Sequence, residues 1–266
     1  AGCTFDPLPA LTVRYGKGMD IPDPVPPMPP PRSQTFVGRH DELRELTRAL
    51  KKDAFVALFG APGMGKSELA TRLAAQTADG FEKVFWYTFS SPADADDLVS
   101  ELAKFLAWYG RDDLWRRRHT SSNGGRQQVG QQFQLALSLL KQGGFLLYLE
   151  DLHNVPNDSL IQNFLEQLVA RRFDLEIKLL ATSRSKLDPK LQKRGVLLQG
   201  LDQQAVKQYL KKRLKKLTPS DEQVEVLHAA TEGNPQFVVL AAAAIQAGAD
   251  PEQLLARFVR PDEDIF

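Results

Sequence analysis

The sequence predicts an α/β protein: three layers built on a five-stranded parallel sheet, followed by a small all-helical domain. Three observations predict it. Apolar runs of strand length alternate with amphipathic helical stretches from about residue 40 to 198, as in strands buried on both faces and joined by crossover helices. A glycine-rich turn separates the first such run from the helix that follows it. From Asp202 onward only helical periodicity remains. The implied division is an extended linker over 1–34, an α/β domain over 35–200 and a helical domain over 201–266.

The linker is set apart by composition. Seven of the ten residues from Pro22 to Pro31 are proline, which favours extended polyproline II. Such a run can be a stiff spacer or a ligand for an aromatic-lined groove, and the spacer is the simpler reading. Leu11, Val13 and Tyr15 alternate with polar residues, a pattern that suits a short strand. Next, Thr35 to Leu43 opens a helix running to about Leu50, with Leu43, Leu46 and Leu50 on one face.

The first strand is the apolar run Ala54–Phe59. After it comes Gly60-Ala61-Pro62-Gly63-Met64-Gly65-Lys66-Ser67, which has the P-loop spacing of glycine, four residues, then Gly-Lys-Ser. Leu69, Leu73 and Ala74 then recur at helical spacing. Glycines let the backbone curl around an anion, and the amides at a helix start point at it. Lys66 would reach the β- and γ-phosphates, the Ser67 hydroxyl would take a place on Mg²⁺, and Glu68 follows in the first helical turn. The implied ligand is a nucleoside tri- or diphosphate.

Lys83–Phe89, aromatic and β-branched, reads as the second strand. Residues 94–109 are helical, with Leu98, Leu102, Phe105 and Leu106 on one side. Arg116 to Gly125 is basic, then Ser/Asn/Gly-rich, and reads as a mobile loop. Phe133–Leu140 belongs to another helix, stopped by Gly143-Gly144. Then Phe145–Leu149 leads into Glu150-Asp151, an apolar strand ending in two carboxylates, the Walker B pattern. Carboxylates at the carboxyl end of a parallel strand lie beside the phosphate loop, where Mg²⁺ and the attacking water sit. A helix over 159–170 precedes the strand 176–184, which ends in Thr182-Ser183-Arg184, and Val196–Leu198 closes the sheet. Arg184, at the same sheet edge as Lys66 and Glu150, is placed to sense a γ-phosphate.

Asp202 caps a helix carrying Ala205, Val206, Tyr209, Leu210 and Leu214. Its lysines and Arg213 share that helix with the apolar stripe and read as a solvated face. Thr218 to Asp221 caps the next helix, and Glu232-Gly233-Asn234-Pro235 breaks it ahead of an apolar helix over 237–245. A last helix is predicted over Pro251–Val259. His228 reads as a packing residue, with no second ligand at metal-binding spacing.

Composition narrows the partners. With 42% hydrophobic residues the 266-residue chain can build a core, and a formal charge of +1 supplies no global field for nucleic acid or membrane. No apolar run approaches the ~20 residues needed to span a bilayer. The one cysteine, Cys3, forms no internal disulfide, which suits a reducing compartment and an expected cytoplasmic location.

Five elements stand in one order: Val37-Gly38-Arg39, the P-loop, the strand to Glu150-Asp151, Leu179–Arg184, and Gly233-Asn234-Pro235 in a helical domain. Together, over about residues 35 to 260, they resemble the nucleotide-binding core of the STAND class of P-loop NTPases, the NB-ARC and NACHT-type signalling ATPases. The resemblance implies that the Arg184 strand lies between the P-loop and Walker B strands, with a helical lid packed against the sheet. It implies that Val37 and Arg39 line the adenine side, that Pro235 presses on the nucleotide from the lid, and that Arg184 distinguishes ATP from ADP. It further implies slow Mg²⁺-dependent hydrolysis and a homo-oligomer in the ATP state of the full-length protein, with a fragment of this length monomeric. Relatives carry Asp-Asp or Asp-Glu at Walker B. Position here gives Glu150 to Mg²⁺ and Asp151 to the water, while the longer glutamate leaves that division open. Relatives also carry a winged helix and repeats after the lid, so the chain, ending at Phe266, reads as the core of a larger protein with unknown sensor and effector domains. The rival reading is a DNA-handling ATPase of the initiator or loader type; another is a nucleotide-locked scaffold without turnover.

Overall fold

Strand β1 (Phe55–Phe59) is buried along its whole length, and its alternation divides the molecule into layers. Val56 and Leu58 face a cluster built from α1 (His40–Asp53) and α2 (Lys66–Thr77). Phe55, Ala57 and Phe59 face the opposite cluster, built from α3 (Ala95–Trp108), α4 (Asp113–Thr120), α5 (Arg126–Leu140) and α6 (Leu160–Arg171). A strand apolar at every position is what burial on both faces requires. The computed structural model describes residues 36–77, 83–120, 126–156, 159–187, 191, 195–214 and 219–249. The linker and the helix predicted over 251–259 lie outside the described residues.

The sheet is five-stranded and parallel, in the order β2-β3-β4-β1-β5, with β2 (Lys83–Thr88), β3 (Phe145–Glu150), β4 (Lys178–Ser183) and β5 (Gly195–Leu197). Insertion of β4 between β1 and β3 is the arrangement the resemblance implied. It brings the turn after β1, Glu150-Asp151 and Arg184 to one edge, because all strands run the same way.

One stretch departs from the sequence reading. Residues 113–120 form a helix rather than a loop. Leu114 and Trp115 are buried in the α3/α5 layer, and Arg118 pairs with both oxygens of Asp96, at 3.0 and 2.8 Å, and with Gln132 Oε1 at 2.6 Å. Arg116 pairs with Asp112 and Arg117 with Gln131. The run of arginines hides two anchoring apolar residues, and Arg117 and Arg118 bind the neighbouring helices α3 and α5.

Helices α7 (Gln203–Arg213), α8 (Asp221–Thr231) and α9 (Pro235–Gln246) form the all-helical part. Each has a side-chain N-cap: Asp202, Ser220 in a capping box with Gln223, and Asn234 ahead of Pro235. Val206, Leu210, Val224, Leu227 and Val238 make its core, and Val37 from the chain entry is buried among them. His228 Nε2 donates to the Leu201 carbonyl oxygen at 2.9 Å. The connector is tied to the α8–α9 turn, with Leu201 N donating to Gly233 O at 2.7 Å. A Cβ at Gly233 would stand 2.1 Å from Leu201 O and one at Gly200 1.9 Å from Glu232 O, so both positions require glycine.

Candidate functional site

The P-loop leaves the end of β1 and feeds the first turn of α2, as the spacing predicts. Lys66 is only 8% exposed. Its ammonium donates to Gly60 O at 2.8 Å and Ala61 O at 2.9 Å, holding the charge over the loop. Burial lowers its pKa; Asp151 and Glu150 oppose that shift, and Arg184 adds to it. A cation desolvated in this way gains most from an incoming anion.

Behind the lysine stands an oxygen-rich group. The Ser67 hydroxyl donates to Glu150 Oε1, and Thr88 Oγ1, opposite Glu150 in the β2–β3 register, donates to Oε2 at 2.9 Å. Asp151 leaves the strand in the left-handed region (φ 59) and opens a short 3₁₀ turn, Leu152–Asn154. Its N–H donates to Thr182 Oγ1 at 3.2 Å, and the turn is held by Asn154 Nδ2 donating to Phe89 O at 2.9 Å. A non-glycine residue in that conformation costs about 1–3 kcal/mol and recurs at functional sites. Here it turns the Asp151 carboxylate away from Glu150 and into the cavity. His153, 3.8 Å from Asp151 Oδ1, has its pKa lowered by burial, opposed by Asp151 and assisted by Arg184 and Lys66.

These groups surround a cavity of about 310 Å³ lined by Pro62, Gly63, Gly65, Lys66, Ser67, Glu68, Asp151 and Arg184. On one flank Glu68 pairs with Arg72, whose guanidinium lies 5.0 Å from the Phe36 ring centroid. On the other, the first turn of α9 reaches the P-loop. Asn234 Nδ2 donates to Pro62 O at 3.1 Å and Gln236 N to Gly63 O at 3.3 Å. Gly63 has φ 79, and a Cβ there would meet Gln236 Oε1 at 2.6 Å and Asn234 Oδ1 at 2.7 Å. Pro235 Cγ lies 3.8 Å from where a Cβ on Gly65 would stand.

The predicted residues thus fall into two groups. Those lining the cavity are backed by Gly60, Glu150 and Pro235, which touch the lining residues Lys66, Ser67 and Gly65. Val37, Arg39 and Met64 stand back from it. Val37 is buried in the helical core, and Met64 packs against the α1/α2 cluster. The Arg39 guanidinium binds Glu42 at 2.8 Å and the carbonyls of Met64 and Gln199, joining entry segment, P-loop and connector. Sequence reasoning missed Thr88, Thr182, His153, Asn234 and Gln236, whose roles depend on register and on lid docking. Only Asn234 carried a local signal, as an N-cap before Pro235.

The donor set fits its implied ligands. Backbone amides at a helix start with Lys66 and Arg184 suit polyphosphate, and hydroxyl and carboxylate oxygens at Ser67 and Glu150 suit a hard cation such as Mg²⁺.

A family model described as AAA ATPase domain matches residues 35–180. The chain belongs to that family. This AAA ATPase domain is also similar in fold to solved structures. One is the STAND protein with a tetratricopeptide repeat sensor from Pyrococcus horikoshii, at TM-score 0.60 and 23% identity, covering 86% of this chain and 33% of that one. Another is a Walker-type ATPase of Pyrococcus abyssi, at 0.58 and 15%, covering 87% and 74%. A third is the Aeropyrum pernix ORC1 protein in complex with DNA, at 0.58 and 15%, covering 85% and 66%. The chain spans about a third of the length of the Pyrococcus horikoshii protein. No curated protein matches it. Among the described residues no helix is long and apolar enough to cross a membrane.

Proposed function

We propose that this ATPase domain is the ATP/ADP switch of a STAND-class signalling protein. It binds nucleotide with Mg²⁺, hydrolyses ATP slowly and couples exchange to homo-oligomer assembly in the whole protein. The observation that carries the reading is the pair of hydrogen bonds from the first turn of α9 to Pro62 O and Gly63 O. A lid bonded to the phosphate loop itself responds to whatever the loop holds, and nucleotide leaves only when that contact opens.

In this reading the P-loop amides and Lys66 bind the phosphates and Arg184 contacts the γ-phosphate. Ser67 and Glu150 hold Mg²⁺, which supplies charge neutralisation on the phosphates. Asp151, turned into the cavity by its left-handed backbone, accepts a hydrogen bond from the attacking water. Pro235 and the rest of the α9 turn close the site.

Denaturing the purified protein and chromatographing the released nucleotide tests binding; ADP is the expected product. Rapid-mixing hydrolysis with and without Mg²⁺ tests the switch. A first turnover faster than the steady state is expected if lid opening limits the cycle. Equal rates would contradict slow opening, and no Mg²⁺-dependent turnover would leave a locked scaffold.

A further inference from the structure

His153 stands beside Asp151 and has no part in the reading above. Both its ring nitrogens are closed off from solvent, and among the described residues neither makes a hydrogen bond. A buried imidazole in that position is costly, because an N–H and a lone pair both go unmatched. The 3₁₀ turn fixes where the ring sits. Leu152 before it is buried in the core beneath β3. Asn154 after it donates twice, from its backbone N–H to Asp151 O and from Nδ2 to Phe89 O, each at 2.9 Å. Across the turn, the Asp151 carboxylate accepts no hydrogen bond among the described residues, and His153 is the basic side chain nearest to it, with Nδ1 3.8 Å from Oδ1. A shift of about 1 Å brings the pair to hydrogen-bond length. Asp151 lines the cavity and His153 does not, so the ring meets the carboxylate from the protein side.

We infer that His153 is a positioning residue for ATP hydrolysis, its Nδ1–H holding one oxygen of Asp151 so that the other faces the attacking water. The inference rests on the reading of Asp151 as the acceptor for that water. The left-handed backbone at residue 151 fixes where the side chain begins, but two torsions still separate the carboxylate from it. A carboxylate free to turn offers the water a well-aimed oxygen for only part of the time. Its negative charge favours the ring tautomer with the proton on Nδ1. Hydrogen bonds of this kind are often long in the empty enzyme and tighten when substrate binds. The ring keeps its proton throughout and touches neither nucleotide nor water.

Two measurements test it. In protein carrying isotope-labelled histidine at about pH 8, above the ordinary histidine range, the ring-nitrogen spectrum should show His153 neutral and protonated on Nδ1. Protonation on Nε2 overturns the inference. For kinetics, His153→Leu removes both nitrogens, His153→Asn sets an amide N–H near the place of Nδ1, and His153→Gln sets one near Nε2. With protein in excess over ATP and Mg²⁺ present, the first-turnover rate should fall about ten-fold in His153→Leu, equivalent to about 1.4 kcal/mol. It should stay within about three-fold of wild type in His153→Asn and be as slow in His153→Gln as in His153→Leu. Affinity for a fluorescent ADP analogue should remain within about two-fold of wild type in all three. If His153→Leu does not fold, the comparison of asparagine with glutamine decides. A wild-type rate in His153→Leu, His153→Asn no faster than His153→Gln, or ADP affinity falling in step with the rate overturns the inference alone. Wild-type protein with no Mg²⁺-dependent first turnover overturns the hydrolysis reading and the inference with it.

Discussion

Asn234→Asp isolates the lid's grip on the phosphate loop. Asn234 is 8% exposed. Its Oδ1 caps α9 by accepting from Gln236 N at 3.0 Å, which fixes Nδ2 as the donor to Pro62 O at 3.1 Å. Aspartate has the same shape and caps as well. At a helix N-terminus its charge can gain about 0.3–1 kcal/mol. What changes is the other atom, a donor replaced by an acceptor facing a carbonyl. The lost bond is worth about 1 kcal/mol, and leaving acceptors opposed in a buried place adds about 1–3 kcal/mol. Less the cap's gain, the α9–loop contact should weaken by about 1–3 kcal/mol, or roughly five- to 150-fold in the opening equilibrium. Stopped-flow displacement of a fluorescent ADP by excess unlabelled ADP should show release faster by that factor, with the melting temperature lowered by several degrees as the same contact weakens. Release within about two-fold of wild type would refute the claim that this contact gates the site.

Two other expectations concern the charges at the cavity. Lys66→Met keeps the apolar stem and removes the cation; with charged hydrogen bonds worth about 1.5–3 kcal/mol each, ADP affinity by calorimetry should fall at least about a hundred-fold. Because the folded state lowers the Lys66 pKa, the unfolded chain binds more protons between the lowered value and the ordinary one, so Lys66 costs ligand-free stability that is recovered as pH rises through that window. The melting-temperature difference between Lys66→Met and wild type should therefore change as pH rises toward the ordinary lysine value of about 10.4, and a difference that stays constant on that approach would contradict the shift. Arg184→Ala should weaken ATP about ten-fold more than ADP in parallel titrations, and equal losses would reject its γ-phosphate role.

The parts of the molecule legible in the sequence are those that one segment specifies alone. The P-loop, the apolar runs of β1 and β3 and the helix caps at Asp202 and Thr218–Asp221 each carry their signal within a few residues. Placing β4 between β1 and β3 needed the family resemblance, since nothing in Leu179–Ser183 names its neighbours. Thr88 matters because register sets it opposite Glu150, and Gln236 because α9 docks on Gly63; neither is visible locally. The helix over 113–120 was hidden for another reason, its arginines outnumbering the buried Leu114 and Trp115 that hold it down.

The connector at Gly200-Leu201 bears on how such proteins can be taken apart. With two glycines pressed against opposing carbonyls and Val37 lodged in the helical core, a cut there would expose apolar surface on both fragments. Exchange of this lid between homologues would have to carry residues 36–39 with it, as a matched set from two distant places in the chain. The unit of inheritance is then the pair, and shuffling at the apparent seam would yield insoluble chimeras.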